Sequence, residues 1–218
     1  MVEAEQRLIT GYRGFRARYY EQCPERMHDL AVHGQSPDVL FIACADSRID
    51  PALLFDSEPG ELFVVRNVAN LVPPYGPGEN PDATCAAMEF AVRDLGVQHI
   101  VILGHSACGG IKALRATMAG EDLPRDFIGP WIQNAADACP CDADGNVPEQ
   151  EAVEHAGIRM SLRNLMTFPW IAEKVEAGDL HLHGWWVDLL AGRLCDINPD
   201  GDGLTQLVAG EIPDNVAD

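Results

Sequence analysis

The stretch Ile100-Val-Ile-Leu-Gly-His-Ser-Ala-Cys-Gly-Gly110 decides the fold of this chain. Its first four residues are apolar and mostly β-branched, which is typical of a buried strand, and a helix is predicted directly after it, over residues 110–119. Two metal-ligating side chains, His105 and Cys108, lie between the strand and the helix. Because ligands of open α/β sheets gather at the carboxyl ends of the strands, the pattern predicts a binding site here.

A second stretch, Val39-Leu-Phe-Ile-Ala-Cys-Ala-Asp-Ser-Arg48, has the same design. Its apolar run ends at Cys44, so this thiol is also predicted at the carboxyl end of a buried strand. Two thiolates and one imidazole form a donor set that zinc prefers, and three protein ligands leave a fourth tetrahedral position for water. Cys44, His105 and Cys108 therefore predict a catalytic zinc site with one ion per chain. Taken singly, each residue also fits an ordinary role as a buried thiol or a hydrogen-bonded histidine.

Two charged residues, Asp46 and Arg48, follow the first of these strands. Charged groups at the end of a buried strand cost free energy unless they are paired or have a function. The planar guanidinium of an arginine can hold a carboxylate through two hydrogen bonds. A solvated surface ion pair, worth roughly 0 to 1 kcal/mol, is the plain alternative. A phosphate-binding cysteine loop is another, but the gap between Cys44 and Arg48 is too short for it. The position beside Cys44 favours a functional pair.

Three motifs taken together resemble the β-class carbonic anhydrases. They are Cys-Ala-Asp-Ser-Arg at 44–48, Arg-Asn-Val-Ala-Asn at 66–70 and Gly-His-Ser-Ala-Cys-Gly-Gly at 104–110. The resemblance is strong over residues 35–112 and weaker over 153–196. It implies a zinc enzyme that hydrates carbon dioxide reversibly to bicarbonate and a proton by means of zinc-bound hydroxide. It also implies roles for five residues: metal ligation by Cys44, His105 and Cys108, and catalysis by the dyad Asp46 and Arg48.

The resemblance further implies substrate contacts like those of the open-site, plant-type branch of the family. Gln35 matches an amide donor to bicarbonate, although an ordinary loop residue is an equally good interpretation. Phe63, Val68 and Gly109 match apolar and backbone neighbours of the substrate. Phe90 stands where that branch usually has a tyrosine, so the pocket is expected to lack one hydroxyl group.

Two other functions stay open on the sequence alone. The same fold and ligands would support hydrolysis of carbonyl sulfide or carbon disulfide, which the motifs do not separate from hydration of carbon dioxide. The other alternative is a non-catalytic zinc scaffold protein. A structural site needs a fourth protein ligand and has no use for a catalytic dyad, so this alternative is the less favoured one.

The whole chain, residues 1–218, is predicted to form one α/β domain with a mostly parallel central sheet flanked by helices. Residues 1–34 are predicted as an amino-terminal helical arm, because Leu8, Tyr12, Phe15 and Tyr19 recur at helical spacing. This apolar stripe is more stable against another subunit than in water, so a homodimer or a tetramer is expected. A helix folded back on its own domain is the alternative.

In the family that the chain resembles, the active site lies at a dimer interface. The resemblance therefore implies that Phe63 and Phe90 contribute to the pocket of the partner subunit.

The elements that position these motifs follow from hydrophobic periodicity and from glycine and proline signals. Strands are predicted at 39–44, 62–66 and 99–103. Helices are predicted at 3–20, 83–95, 110–119, 131–138 and 151–167, with a further helix beginning at Pro169. A hairpin is predicted at 180–197, and the segment 121–150 is expected to be mostly a connection.

Charge and cysteine content narrow the partners and the compartment. Fifteen basic and 34 acidic residues give a net charge of −19, which argues against binding nucleic acid or an anionic membrane surface. The charged start of the chain does not resemble a signal peptide, and no apolar run approaches the length of a membrane span. Seven cysteines, an odd number, fit a reducing compartment. A cytoplasmic location is therefore expected.

Overall fold

The computed structural model describes residues 2–78 and 82–211. The strands in this part of the chain belong to one six-stranded sheet. In chain order they are β1 (Val39–Cys44), β2 (Leu62–Asn67), β3 (His99–His105), β4 (His181–Asp188), β5 (Arg193–Ile197) and β6 (Leu204–Val208). Their order across the sheet is β2-β1-β3-β4-β5-β6, with parallel pairing from β2 to β4 and antiparallel pairing beyond. The mostly parallel sheet expected from the sequence is confirmed.

Helices flank this sheet and form the amino-terminal arm. They are α1 (Glu3–Arg16), α2 (Pro24–His33), α3 (Pro51–Leu54), α4 (Ala83–Glu89), α5 (Gly109–Met118), α6 (Ile128–Ile132), α7 (Gln150–Leu165) and α8 (Pro169–Ala177). A π-helical turn continues α4 to Leu95, and Gly96 in the left-handed region ends it. A 3-10 turn continues α6 to Ala138. The predicted helices are thus present, with small shifts at their ends. None of the described helices is both long and apolar enough to span a bilayer.

The central strand β1 shows why its apolar run is continuous. Successive side chains of a strand point to opposite faces of the sheet. Leu40 and Ile42 pack in a core that includes residues of α4 and α8, whereas Phe41 and Ala43 pack in a second core with residues of α5 and α6. Both faces are covered, as is usual for a parallel sheet. Polar residues are therefore confined to the two ends of the strand, and Cys44 lies at its carboxyl end.

The amino-terminal arm is helical, as expected, but the helix predicted at 3–20 is divided into α1 and a π-helical turn over Ala17–Gln22. Tyr19 is buried, and its ring centroid lies 4.7 Å from that of Phe15. Leu8 and Tyr12, on the same predicted stripe, are 72% and 61% exposed. No residue of α1 is buried. The first half of the arm therefore leaves its apolar face uncovered by its own chain.

The edge strand β6 was not expected from the sequence. Its residues, Leu-Thr-Gln-Leu-Val, do not alternate between apolar and polar, and all five are exposed. It pairs with β5 alone, so its outer edge is open in the described part of the chain. The strand extends the hairpin predicted at 180–197, which the structure confirms as β4 and β5.

Candidate metal centre

Three metal-ligating side chains converge at the carboxyl edge of the sheet. Cys44 is the last residue of β1, and His105 is the last residue of the neighbouring strand β3. Cys108 follows after a two-residue turn and directly precedes α5. One ligand atom from each of the three buried residues lies within 4.8 Å of the other two, and the two Sγ atoms are 3.9 Å apart. The structure thus brings together the residues predicted to bind the metal.

The turn that joins the last two ligands is held firmly. The backbone N–H of Ser106 donates to the carbonyl of Val187 at 2.9 Å, and its hydroxyl accepts the N–H of Leu189 at 2.9 Å. Ala107 has φ of 56°, in the left-handed region that an alanine rarely adopts. Such a conformation persists only where its surroundings fix it, so Cys108 is held towards the other two ligands.

The imidazole of His105 is prepared for a metal ion. Its Nδ1 atom donates to the carbonyl of Ser106 at 2.9 Å, which leaves the lone pair on Nε2. This Nε2 atom is buried and has no hydrogen-bond partner among the described residues. A buried polar atom without a partner is costly, and coordination of a cation would satisfy it. The residues present therefore fit a metal site.

The two thiols also fit a cation. A hydrogen bond with Cys108 lowers the pKa of the Cys44 thiol well below its ordinary value, although burial opposes this shift. The same hydrogen bond, together with burial, raises the pKa of Cys108. One proton is thus shared between two sulfur atoms that cannot both be charged at this distance without compensation. A divalent cation between them would stabilise both as thiolates.

Asp46 and Arg48 form the pair predicted from their spacing. The Nε atom of Arg48 donates to Oδ1 of Asp46 at 2.9 Å, and its Nη2 atom donates to Oδ2 at 2.7 Å. These hydrogen bonds hold the pKa of the Asp46 carboxyl well below its ordinary value of 3.8. Its Oδ2 atom lies 3.9 Å from Nε2 of His105. An ionised carboxylate of fixed orientation therefore stands beside the three ligands.

Arg66 of β2 holds the loop that follows β1, beside this centre. Its Nε atom donates to the carbonyl of Cys44 at 3.2 Å, and its Nη2 atom donates to the carbonyl of Asp46 at 2.5 Å. Its Nη1 atom donates to Oδ2 of Asp50 at 2.8 Å. Asp50 in turn caps α3 by accepting the N–H of Ala52. The backbone that carries the first ligand and the carboxylate is thereby held in one arrangement.

A sequence profile described as carbonic anhydrase matches residues 39–194, the part of the chain that contains the whole centre. The chain belongs to the carbonic anhydrase family. It is 39% identical over 186 residues to a carbonic anhydrase of Synechocystis sp., an alignment that covers 83% of this chain and 66% of the relative. The chain thus spans about two thirds of the length of that relative.

Solved structures place the chain in the β class of this family. The β-carbonic anhydrase CcaA superimposes with a TM-score of 0.81 and 32% identity, covering 94% of this chain and 100% of the other. A tetrameric β-carbonic anhydrase from Sordaria macrospora superimposes with a TM-score of 0.76 and 27% identity, again over 94% of this chain and all of the other. The fold and the class expected from the three motifs are confirmed.

A buried carboxylate beside the metal centre was not predicted from the sequence. Glu154 of α7 is 4% exposed and accepts hydrogen bonds from the backbone N–H of Cys108 at 2.9 Å, from Nε2 of Gln150 at 2.8 Å and from Nε1 of Trp186 at 3.1 Å. The sequence does contain a signal for this residue. Glu154 shares a helical face with Ile158, and a charged residue on the apolar face of a helix indicates a buried carboxylate with specific partners.

The substrate contacts suggested by resemblance divide into two groups. Val68 and Gly109 lie near the metal centre, since Gly109 begins α5 and Val68 packs against the next residue of that helix. Both are exposed. Their positions suit residues that border an opening to the ligands.

The other three residues lie at the opposite end of the strands. Gln35 precedes β1, and Phe63 pairs with Leu40, four residues or about 13 Å along the strand from the first ligand. The ring of Phe90 lies 6.0 Å from that of Phe63 and is 45% exposed. Within one chain these residues do not border the metal centre, and their role as substrate contacts stays a prediction.

Proposed function

We propose that this chain catalyses the reversible hydration of carbon dioxide to bicarbonate and a proton, using one zinc ion held by Cys44, His105 and Cys108. The observation that carries the proposal is the convergence of two buried thiols and an imidazole nitrogen that has no other partner among the described residues. Sulfur and nitrogen donors in a tetrahedral set are those that zinc prefers. Because the described group has three members, one position stays free for water, which favours catalysis over a scaffold role.

A zinc ion at this position would supply a Lewis acid that lowers the pKa of a coordinated water to roughly 7. Asp46 would accept a hydrogen bond from that water and so orient an oxygen lone pair towards carbon dioxide. Arg48 holds both carboxylate oxygens, so Asp46 stays ionised and is kept from turning to the metal as a fourth ligand. Arg66 fixes the backbone beneath the dyad.

We propose further that the working unit is a homodimer or a tetramer. The exposed apolar face of α1, at Leu8 and Tyr12, is covered by a second copy of the chain. Gln35, Phe63 and Phe90, which lie far from the ligands of their own chain, then complete the pocket of the partner. A location in the cytoplasm, a single-domain organisation and the lack of a nucleic-acid partner stay predictions from the sequence.

Metal analysis combined with a stopped-flow assay of carbon dioxide hydration tests the proposal on the purified protein. We expect one zinc per chain, with loss of zinc and of turnover in Cys108→Ala. Cys195→Ala is the matched control, because it also removes a buried thiol but one in the core away from the ligands. Full zinc content in Cys108→Ala would refute the assignment. Parallel assays of sulfide release from carbonyl sulfide and carbon disulfide separate hydration from the alternative hydrolase activity.

A further inference from the structure

Three histidines cluster at the amino ends of β3 and β4, at the opposite edge of the sheet from the metal centre. His99 begins β3, and it pairs in register with His181, which begins β4. His183 is two residues further along β4, so its side chain points to the same face as that of His181. The ring centroids of His181 and His183 lie 5.2 Å and 5.3 Å from that of His99. Neither the zinc site nor the dyad uses these side chains.

The two inner histidines meet through their ring nitrogens. Nδ1 of His99 and Nε2 of His183 are 3.1 Å apart, so one of them donates its proton to the other. Two nitrogens at this separation can each bind a metal ion at about 2.0 to 2.1 Å with an angle of about 100° between them. Tetrahedral and octahedral coordination both accept such an angle. Small rotations of the two rings would point both lone pairs at the ion.

We propose that His99 and His183 form a second metal site, for a divalent transition-metal ion of the class that prefers imidazole, namely Ni²⁺, Cu²⁺ or Zn²⁺. His181 is exposed and supplies a third imidazole after a change of side-chain rotamer. Water would complete the coordination, because His99 and His183 are only half-buried and His181 beside them is exposed.

The surroundings of the three histidines favour the neutral imidazole, which is the form that binds a metal ion. Burial, and then the proximity of His99, lowers the pKa of His183, so its lone pair is available at neutral pH. Asp196 lies on the adjacent strand β5 opposite Trp185, on the same face of the sheet. Its carboxylate acts on His183 in the opposite sense and would stabilise a bound cation. One negative group therefore lies on the same face as the proposed site and would offset part of the charge of a bound ion.

Titration of the zinc-loaded protein with Ni²⁺ by isothermal calorimetry tests this site. We expect one additional ion per chain, bound about tenfold or more weakly in His99→Ala and in His183→Ala, and less strongly affected in His181→Ala. His33→Ala is the matched control, because it removes an exposed histidine at the end of α2. Unchanged Ni²⁺ affinity in both His99→Ala and His183→Ala would overturn the proposal and show that the ion binds elsewhere on the protein.

A second measurement leaves every histidine in place. The ring of Trp185 lies 5.9 Å from that of His183, so Ni²⁺ bound at this cluster should quench its fluorescence. We expect the quenched fraction to disappear in Trp185→Phe while the calorimetric affinity is retained. Equal quenching in the wild type and in Trp185→Phe would show that the ion binds elsewhere. Zinc content and hydration activity of the metal centre report separately on the proposed function.

Discussion

The backbone N–H of Cys108 donates a hydrogen bond of 2.9 Å to the buried carboxylate of Glu154. Cys108 and Glu154 are 46 residues apart in the chain, and this bond joins the ligand loop to α7 directly beside the metal centre. The side chain of Gln150 bridges the same two residues, because its Nε2 atom also donates to the carbonyl of Cys108 at 3.0 Å. The position of the second thiol is therefore set by α7 as well as by its own turn.

Glu154→Gln should loosen this arrangement. In the glutamine an NH2 group replaces one carboxylate oxygen, so it faces an N–H donor that this oxygen accepted and the hydrogen bond is lost. We therefore expect the free energy of unfolding to fall by about 1 to 3 kcal/mol. Zinc affinity should fall by a factor of about 10 to 100. Glu151→Gln, an exposed change on the same helix, is the control and should alter neither quantity. Chemical denaturation and competition with a chelator measure the two effects.

Asp46→Asn should retain zinc but lose turnover. The amide can donate to the water and misorient its lone pair, so we expect kcat to fall by a factor of about 100 or more. Glu89→Gln breaks the exposed ion pair with Arg93 and serves as the control. Near-normal hydration kinetics in Asp46→Asn would contradict the catalytic role. The zinc content of each variant is measured in the same preparation.

The ion pair also predicts a pH dependence of stability. Since the pKa of Asp46 is lowered in the folded chain from its ordinary 3.8, the carboxylate stabilises the fold above this pH and the effect is lost as the pH falls through the lower folded pKa. We expect the wild type to exceed Asp46→Asn by about 1 kcal/mol in the free energy of unfolding between pH 5 and 8. Denaturation at a series of pH values should show this difference shrinking below pH 4. A difference that grows in acid would be inconsistent with it.

Gly110 permits the close approach of α5 to the loop after β2. A Cβ atom there would lie 2.7 Å from Cγ1 of Val68 and 2.9 Å from Cβ of Ala69. Gly110→Ala should therefore cost about 1 to 3 kcal/mol of stability. Gly109→Ala is the matched control for stability, because its Cβ would meet no described atom within 4 Å. Equal melting temperatures for the two variants would show that the loop yields without strain.

The uncovered face of the arm predicts an effect on assembly. Replacing Leu8 and Tyr12 together by Ser should shift the protein towards monomers, because it removes the apolar surface that a second copy would bury. Activity should fall with it if Phe63 and Phe90 complete the partner's pocket. Deletion of residues 1–20 should act in the same direction. Light scattering measures the oligomeric state, and the hydration assay is run on the same samples. A fully active monomer at low micromolar concentration would exclude this assembly.

The sequence predicted those parts of the site that depend on local pattern. Cys44 and His105 each end a continuous apolar run, and parallel neighbouring strands bring such ends together. Asp46 and Arg48 are two residues apart, so their pairing needed no knowledge of the fold. The strands and helices that carry these residues were predictable for the same reason, since their periodicity is a local property.

Features that depend on distant contacts were not predictable in this way. Glu154 contacts Cys108 only because α7 packs across the sheet, and the sequence of neither segment predicts this contact. β6 has no alternating pattern, because its five side chains are all exposed and it is held through backbone pairing with β5. The exposure of Leu8 likewise depends on the position of α1 relative to the rest of the chain. Hydrophobic periodicity predicts the helix but not this position.

The open edge of β6 has a consequence for the behaviour of the protein in concentrated salt. Its five residues carry no charge, so an approaching strand meets no local repulsion. The net charge of −19 then keeps neighbouring molecules apart, and this repulsion extends about 10 Å at 0.1 M salt but only about 3 Å at 1 M. Edge-to-edge self-association should therefore rise with ionic strength. Gln206→Lys, at the middle of the strand, should reduce this association, because pairing with a second strand would desolvate the new charge.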